Sequence, residues 1–282
     1  MDASTRVLLL FTVLLLSSGA MAEERTLIIL HTNDTHSQID HRWNDELQRY
    51  VGEAARRVDL IRRERAVDPK NTLVLDAGDF CQGTPYYTIF GGRLEVDLFN
   101  RTDYDAVTLG NHEFDRGLDT LAMLLDRATF DVVCSNLDFT GSSQPQLAER
   151  ITRYKVIERG GMRIGIFGLL VDPKLLIREV NFGTVVWSDP VEVAREMVAE
   201  LRDEQLCDLV IVLSHLGNDE YSPLRDEQLA AQVPGIDVII GGHSHQLIAP
   251  PQTIIHADGS CTYISQAAAR GAYVGRVRVV CR

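Results

Sequence analysis

Several things are scarce in this chain. It has five cysteines in 282 residues, and its 28 Lys and Arg are outnumbered by 40 Asp and Glu, for a formal net charge of −12. No apolar run approaches the roughly 20 residues that a membrane-spanning helix needs. No internal repeat, low-complexity tract or long linker breaks the pattern. The acidic balance disfavours a nucleic acid polymer or an anionic membrane as partner. It also means that a phosphate-bearing ligand needs a local positive source, such as bound metal. The composition is that of an ordinary folded protein, which argues against general disorder.

The apolar run Val7 to Leu16 follows Arg6 and leads into Ser17 to Ala22, which ends in a small-x-small pattern. That order reads as a secretory signal peptide over residues 1–22, leaving a mature chain of 23–282. Asp2 and Arg6 cancel, so the mature chain keeps its acidic charge. No Cys follows the run, and the closing Val279 to Arg282 lacks the apolar tail of a lipid-anchor signal. The expectation is a periplasmic or secreted protein with no membrane anchor. Such compartments permit disulfides. Cys261 and Cys281 flank two strand-like runs, and a hairpin turning near Gly271 would set them opposite each other, bridged or free. Cys81, Cys134 and Cys207 read as small buried residues.

Apolar periodicity predicts alternating strands and helices, hence an α/β fold. Strands are expected at Thr26 to Leu30, Thr72 to Leu75, Tyr104 to Leu109, Asp131 to Cys134, Leu209 to Leu213 and Val238 to Ile240. Leu47, Val51, Ala54, Val58 and Ile61 fall on one face of a helix expected over Asn44 to Ala66. Shorter helices are expected at Tyr86 to Phe90, Leu94 to Asn100, Leu118 to Arg127 and Leu224 to Val233. Pro190 to Glu204 is another, with Pro in its first turn and Asp189 as its cap. Gly160-Gly161 joins Thr152 to Glu158 and Met162 to Leu169 as a hairpin, and the chain from Thr253 reads as β. One domain with two sheets fits this pattern better than two domains.

Function in open α/β sheets collects beyond the carboxyl ends of strands. Five apolar runs here end in candidate ligands: Asp34 and His36; Asp79; Asn111 and His112; His215; His243 and His245. Five of the eight histidines are in that set. Each stretch alone has a plainer reading, because Asp-x-His is usually structural and Gly-Asp is a common turn. Their recurrence on successive strand ends is what points to chemistry. Carboxylate, imidazole and amide together suit divalent metals of intermediate hardness. One metal seldom uses this many protein ligands; two metals sharing a carboxylate would use them all. Asp115, three residues after His112, is placed to orient that ring.

With these stretches in view, the chain resembles a calcineurin-like metallophosphoesterase, and within that superfamily the N-terminal catalytic domain of the secreted 5′-nucleotidase / UDP-sugar hydrolase family. The matching segments are HTNDTH (31–36), GDFCQGTP (78–85), GNHEFD (110–115), SNLD (135–138), SHLG (214–217), GGHSH (241–245) and GAYVGRV (271–277). The resemblance implies a four-layer α-β-β-α sandwich and two divalent metal ions (Zn, Mn, Co or Fe). It assigns Asp34, His36, Asp79 and His245 to one metal, and Asp79, Asn111, His215 and His243 to the other, with Asp79 as the bridge. His112 then acts on the scissile phosphate as a cation, Asp115 holds it, and a metal-bridging hydroxide attacks phosphorus. The substrate implied is a nucleotide or related phosphomonoester or anhydride.

Other residues are read plainly. His31, His41 and His256 are structural, Cys81 packs, Glu113 fixes a loop, and Asn136 hydrogen-bonds near the site. Trp43, Tyr86, Tyr87 and Phe90 pack against helices, with a base-stacking face as the alternative. Full-length 5′-nucleotidases of this family carry a C-terminal domain that contacts base and sugar, and this sequence stops at Arg282, where that domain would begin. The expectation is therefore a catalytic domain without its nucleotide-binding domain, with broader specificity or a separate substrate-binding partner. Two other readings stay open: a thiosulfohydrolase-like enzyme of the same fold, and a non-catalytic secreted metal- or ligand-binding protein.

Overall fold

The computed structural model describes residues 8–16 and 24–281. Among these, two large sheets carry the fold. The first runs in the order Leu8–Leu16, Tyr273–Cys281, Arg25–Thr32, Thr72–Asp76, Ala106–Val107, Val132–Val133, Ile151–Thr152. The second runs Tyr154–Arg159, Met162–Leu170, Leu209–His215, Val238–Gly241, Cys261–Ala267, Leu247–Ile255. The strands of both sheets that lead to candidate ligands lie parallel to their neighbours, except where Arg25–Thr32 meets antiparallel Tyr273–Cys281.

Side-chain alternation sorts the core into layers. Leu27, Ile29, Leu73 and Leu75 of the first sheet share one buried cluster with Ile164, Ile166, Ile211 and Ile240 of the second. Their neighbours Ile28, Leu30 and Val74 belong instead with helix residues such as Ile61, Val96 and Phe99. Val210, Val212 and Ile239 likewise group with Ala194, Met197 and Leu229. The result is two sheets face to face with helices outside. Each fully buried Leu or Ile contributes about 1.5–3 kcal/mol.

Polar groups cross the seam between the sheets. Ser135 N donates to Gly168 O at 2.7 Å, and His31 Nε2 lies 3.1 Å from Ser265 Oγ. At Gly168 the layers approach closely: a Cβ there would stand 2.1 Å from Val133 O and 2.3 Å from Thr108 Oγ1. The expected strand Thr152 to Glu158 is split, with Ile151–Thr152 in the first sheet and Tyr154–Arg159 in the second. The Gly160-Gly161 hairpin forms as its sequence suggests, with Arg159 paired to Met162. Asp189 caps the helix Pro190–Ala199 by accepting from Val191 N and Glu192 N.

Two expectations are corrected. The helix begins only at Ala54, because Arg42–Asn44 and Arg49–Val51 form a two-stranded hairpin ahead of it. Gly52 sits at φ +88, and its absent side chain leaves room for Arg270 O, 2.6 Å from where a Cβ would be. Cys261 and Cys281 form no bridge, and all five cysteines are free. Their strands belong to different sheets, since Ala268, Arg270 and Gly271, at φ 56, 55 and 60, carry the chain across rather than back. Cys81, Cys134 and Cys207 are buried, as read.

The Ser17 to Ala22 cleavage pattern lies outside the described residues. Leu8–Leu16 is an edge strand parallel to Tyr273–Cys281, so its removal would leave that strand still paired with Arg25–Thr32. No helix among the described residues is long and apolar enough to cross a membrane.

Gly168→Ala is expected to destabilise the fold by about 1–3 kcal/mol or more in urea unfolding. Gly141, which has nothing within 4 Å of its would-be Cβ, serves as the control; Gly141→Ala should stay within about 0.5 kcal/mol. Equal losses would contradict the close seam. A second expectation concerns pH. Burial lowers the His31 ring to about 4 and its Nδ1 has no partner. The unfolded ring takes its proton near pH 6.5, so this contribution is complete above 6.5 and falls as pH drops toward 4, by roughly 3 kcal/mol. The wild-type stability curve should therefore be steeper over that window than the curve of His31→Asn; parallel curves would refute the assignment.

Candidate metal centre

The candidate ligands stand on the carboxyl ends of strands from both sheets, and backbone hydrogen bonds lock their loops together. Asp34 N donates to Gly78 O at 2.8 Å, His36 N to Asp79 O at 3.0 Å and Arg270 N to Asp34 O at 2.7 Å. Asp34, His36, Asp79, His243 and His245 all have left-handed backbones, with φ between 46 and 68. Such a conformation costs a side-chain-bearing residue roughly 1–2 kcal/mol. Strain of this kind gathers at functional sites. Two glycines allow the close approach. A Cβ on Gly110 would stand 2.1 Å from Asp79 Oδ1, and one on Gly242 would lie 2.9 Å from His215 Nδ1.

Three sets of ligand atoms each gather within 4.8 Å: Asp34, His36 and His245; Asp79, His215 and His243; and His36, Asp79 and His112. His36 and Asp79 each appear in two sets, so the groups form one continuous centre. In the first set, His245 Nε2 is 2.9 Å from His36 Nε2 and 3.4 Å from Asp34 Oδ1. In the second, His215 Nε2 is 3.1 Å from Asp79 Oδ2.

Several polar atoms here are left for a cation. Asn111 Oδ1, His215 Nε2 and His36 Nδ1 are buried without a directed hydrogen-bond partner. His215 Nδ1 donates to Ala77 O at 2.7 Å, which turns Nε2 toward Asp79. Orienting a ring by its other nitrogen is how metal-binding histidines are commonly held. Burial pulls His36 and His243 down to about 4, so both present neutral lone pairs near pH 7. Burial opposes charge on Asp79 as well, but the charge of His215 and then that of His112 outweigh it and hold the carboxyl well below its ordinary range. Burial likewise opposes charge on His215, which Asp79 overcomes, raising the ring. A carboxylate and imidazoles arranged this way suit a divalent ion of intermediate hardness, and the donor set fits.

His112 stands at the rim, half-buried. Its backbone N donates to Asp79 Oδ1 at 2.9 Å, and its Nδ1 lies 2.9 Å from Asp115 Oδ2. Burial lowers its pKa, but the Asp115 hydrogen bond and then the Asp79 charge prevail and raise it. Asp115 is itself tethered, because its carbonyl accepts from Asn181 Nδ2 at 2.8 Å.

The supporting residues account for most of the remaining polar groups. Glu113 accepts from the backbone N–H groups of Asp79, Cys81 and Gly110 at 2.9, 2.9 and 2.7 Å, tying two ligand loops. His31 is buried between the sheets, His256 Nε2 lies 2.9 Å from Thr262 Oγ1, and the His41 ring packs edge-on to Tyr50. Asn136 braces Leu170, donating to its O and accepting from its N. Two residues escaped the sequence reading. Asn33 links Asp34 Oδ2 to Ala268 O, and Asp76 accepts from Gly78 N at 2.9 Å behind Asp79. Both lie inside the ligand-bearing stretches, but nothing in their local pattern separates them from turn residues.

Residues 27–247 match the family model described as calcineurin-like phosphoesterase. The chain belongs to the calcineurin-like phosphoesterase family. It is 35% identical over 280 residues to a snake venom 5′-nucleotidase from Crotalus adamanteus, covering 90% of this chain and 45% of that protein. It is 32% identical over 292 residues to the 5′-nucleotidase of Rattus norvegicus, covering 96% and 49%. Among solved structures, a 5′-nucleotidase precursor from Thermus thermophilus superposes with a TM-score of 0.77 at 35% identity, over 90% of this chain and 51% of that one. The chain spans about half the length of these relatives. The mixed α/β fold with parallel sheets and outer helices is that of the family.

Glu113→Ala should lower metal affinity about 10–100-fold by freeing three loop amides, while far-UV circular dichroism stays unchanged. Affinity within twofold of wild type would show that Glu113 does not hold the ligand loops.

Proposed function

We propose that this protein is an exported phosphoesterase that holds two divalent metal ions and hydrolyses nucleotides or related phosphomonoesters and anhydrides. The observation that carries this reading is the continuous centre in which His36 and Asp79, each shared between two ligand sets, join them; the Asn111 oxygen is buried and unpartnered. Asp34, His36, Asp79 and His245 would hold one ion, and Asp79, Asn111, His215 and His243 the other. Ions bound there supply Lewis acidity toward phosphoryl oxygens and acidify water. The 5′-nucleotidase relatives support a nucleotide substrate. The Val7 to Leu16 run and its small-x-small ending support export.

The chain's own residues divide the remaining work. His112 lies in ligand range of Asp79 and His36, yet its Nδ1 is engaged by Asp115 and its ring reaches the rim. As a cation it would stabilise charge on the phosphoryl group or leaving oxygen. Asp115 keeps the ring oriented and favours its charged form. Asp79 carries the shared negative charge that both ion positions need. Buried as they are, Asp34 and Asp79 would hold the ions with little competition from bulk water.

The test is to load the purified protein with Mn²⁺, Zn²⁺ or Co²⁺ and assay AMP, UDP-glucose, a cyclic nucleotide and an aryl phosphate side by side. Hydrolysis of at least one is expected; inactivity on all four with two ions bound would sink the proposal. His112→Gln should cut kcat about 10²–10⁴-fold with metal content unchanged, whereas Asp79→Asn should lose metal. Metal loss in the His112 variant would mean that His112 is a ligand.

A further inference from the structure

Many arginines among the described residues have an obvious counter-ion. Arg65 meets Asp105, Arg127 meets Asp97, Arg153 meets Glu196 and Arg202 meets Asp237. Arg270 does not. It is half-buried, and among the described residues its guanidinium has neither a carboxylate nor a hydrogen-bond acceptor. Leaving a partly desolvated cation unpaired is unfavourable.

Its position gives this meaning. The Arg270 backbone is left-handed, at φ 55, and its N–H is pinned to Asp34 O at 2.7 Å. The side chain reaches back over Gly83: Arg270 Nη1 and His36 Cβ lie 3.2 and 3.1 Å from the point a Gly83 Cβ would occupy. The guanidinium therefore stands beside His36, one of the candidate ion ligands. The neighbouring hairpin brings a second cation. Val51 of that hairpin packs with Ala267, Ala272 and Tyr273, and exposed Arg42 on its first strand also lacks a counter-ion among the described residues. Arg42 pairs with Val51 across that hairpin, and the next residue, Gly52, packs against Arg270 O, so the two cations stand on adjoining segments. Guanidinium groups remain charged in proteins.

We propose that Arg270, assisted by Arg42, forms a subsite for a second phosphoryl group, so that the centre prefers diphosphates to monophosphates. This deepens the phosphoesterase reading and rests on it, because the first phosphoryl group must sit at the ion positions. The planar guanidinium fork matches phosphate oxygens. In a phosphoanhydride the second phosphoryl group is joined to the first through one oxygen, whereas a monoester has no group to fill the subsite.

Calorimetric titration of the metal-loaded protein with non-hydrolysable methylenediphosphonate and with inorganic phosphate tests this, with metal content measured after each run. Wild type should bind the diphosphonate at least tenfold more tightly than phosphate. Arg270→Gln should weaken the diphosphonate about tenfold, as loss of one charge-assisted hydrogen bond implies, and phosphate less than twofold. Arg42→Gln, on an exposed strand, should weaken the diphosphonate by a smaller factor and guards against misfolding of the first variant. Equal losses for both ligands, or no loss for either, would overturn the subsite. Hydrolysis of phosphoesters with no diphosphate preference would refute the subsite and leave the phosphoesterase reading standing. Absence of hydrolysis would refute that reading, and a tenfold effect of Arg270→Gln on diphosphonate binding would still uphold the anion site.

Discussion

A buried carboxylate organises the centre. Asp79 is almost wholly excluded from solvent, where an isolated negative charge is costly. It keeps its charge because His215 stands 3.1 Å away and the His112 amide donates to it at 2.9 Å. Glu113, behind the loop, feels the opposite effect. Its own burial and then the Asp79 charge raise it to about 7 even as it binds loop amides. The protein thus spends one carboxyl on charge and another on scaffolding. Divalent ions at Asp79 would add positive charge beside the same carboxylate.

The fold serves that carboxylate by bringing together loops from two sheets that no single sheet would present. Asp34, His36, Asp79 and Asn111 come from the first sheet, and His215, His243 and His245 from the second. The apolar layer between the sheets, with the Gly168 contact and the Ser135 and His31 hydrogen bonds, sets their separation. Left-handed backbones then aim the side chains inward, at a cost that the interlocked loops absorb. Asp79, Gly110 and Glu113 cannot be varied independently, because Gly110 leaves room for the Asp79 carboxylate and Glu113 holds both backbones.

Much of this was legible in the sequence, for a physical reason. Ligand types follow directly on apolar strand runs, so HTNDTH, GNHEFD and GGHSH could be placed without knowing how the sheets pack. What failed was long-range or coincidental. Leu47, Val51 and Ala54 have helical spacing by accident, and the turn at Gly52 depends on its fit against Arg270, over 200 residues away in sequence. The hairpin expected between Cys261 and Cys281 failed because local pattern does not say which sheet a strand joins. Arg270 stood out only once the carboxylates missing around it could be seen.

The most direct measurement is anomalous X-ray diffraction from crystals grown with Zn²⁺ or Mn²⁺. Two ions are expected, bridged by Asp79, with Asn111 and His215 coordinating one of them and His112 bound to neither. A single ion, or two ions with no shared Asp79 oxygen, or His112 in place of Asn111, would contradict the account.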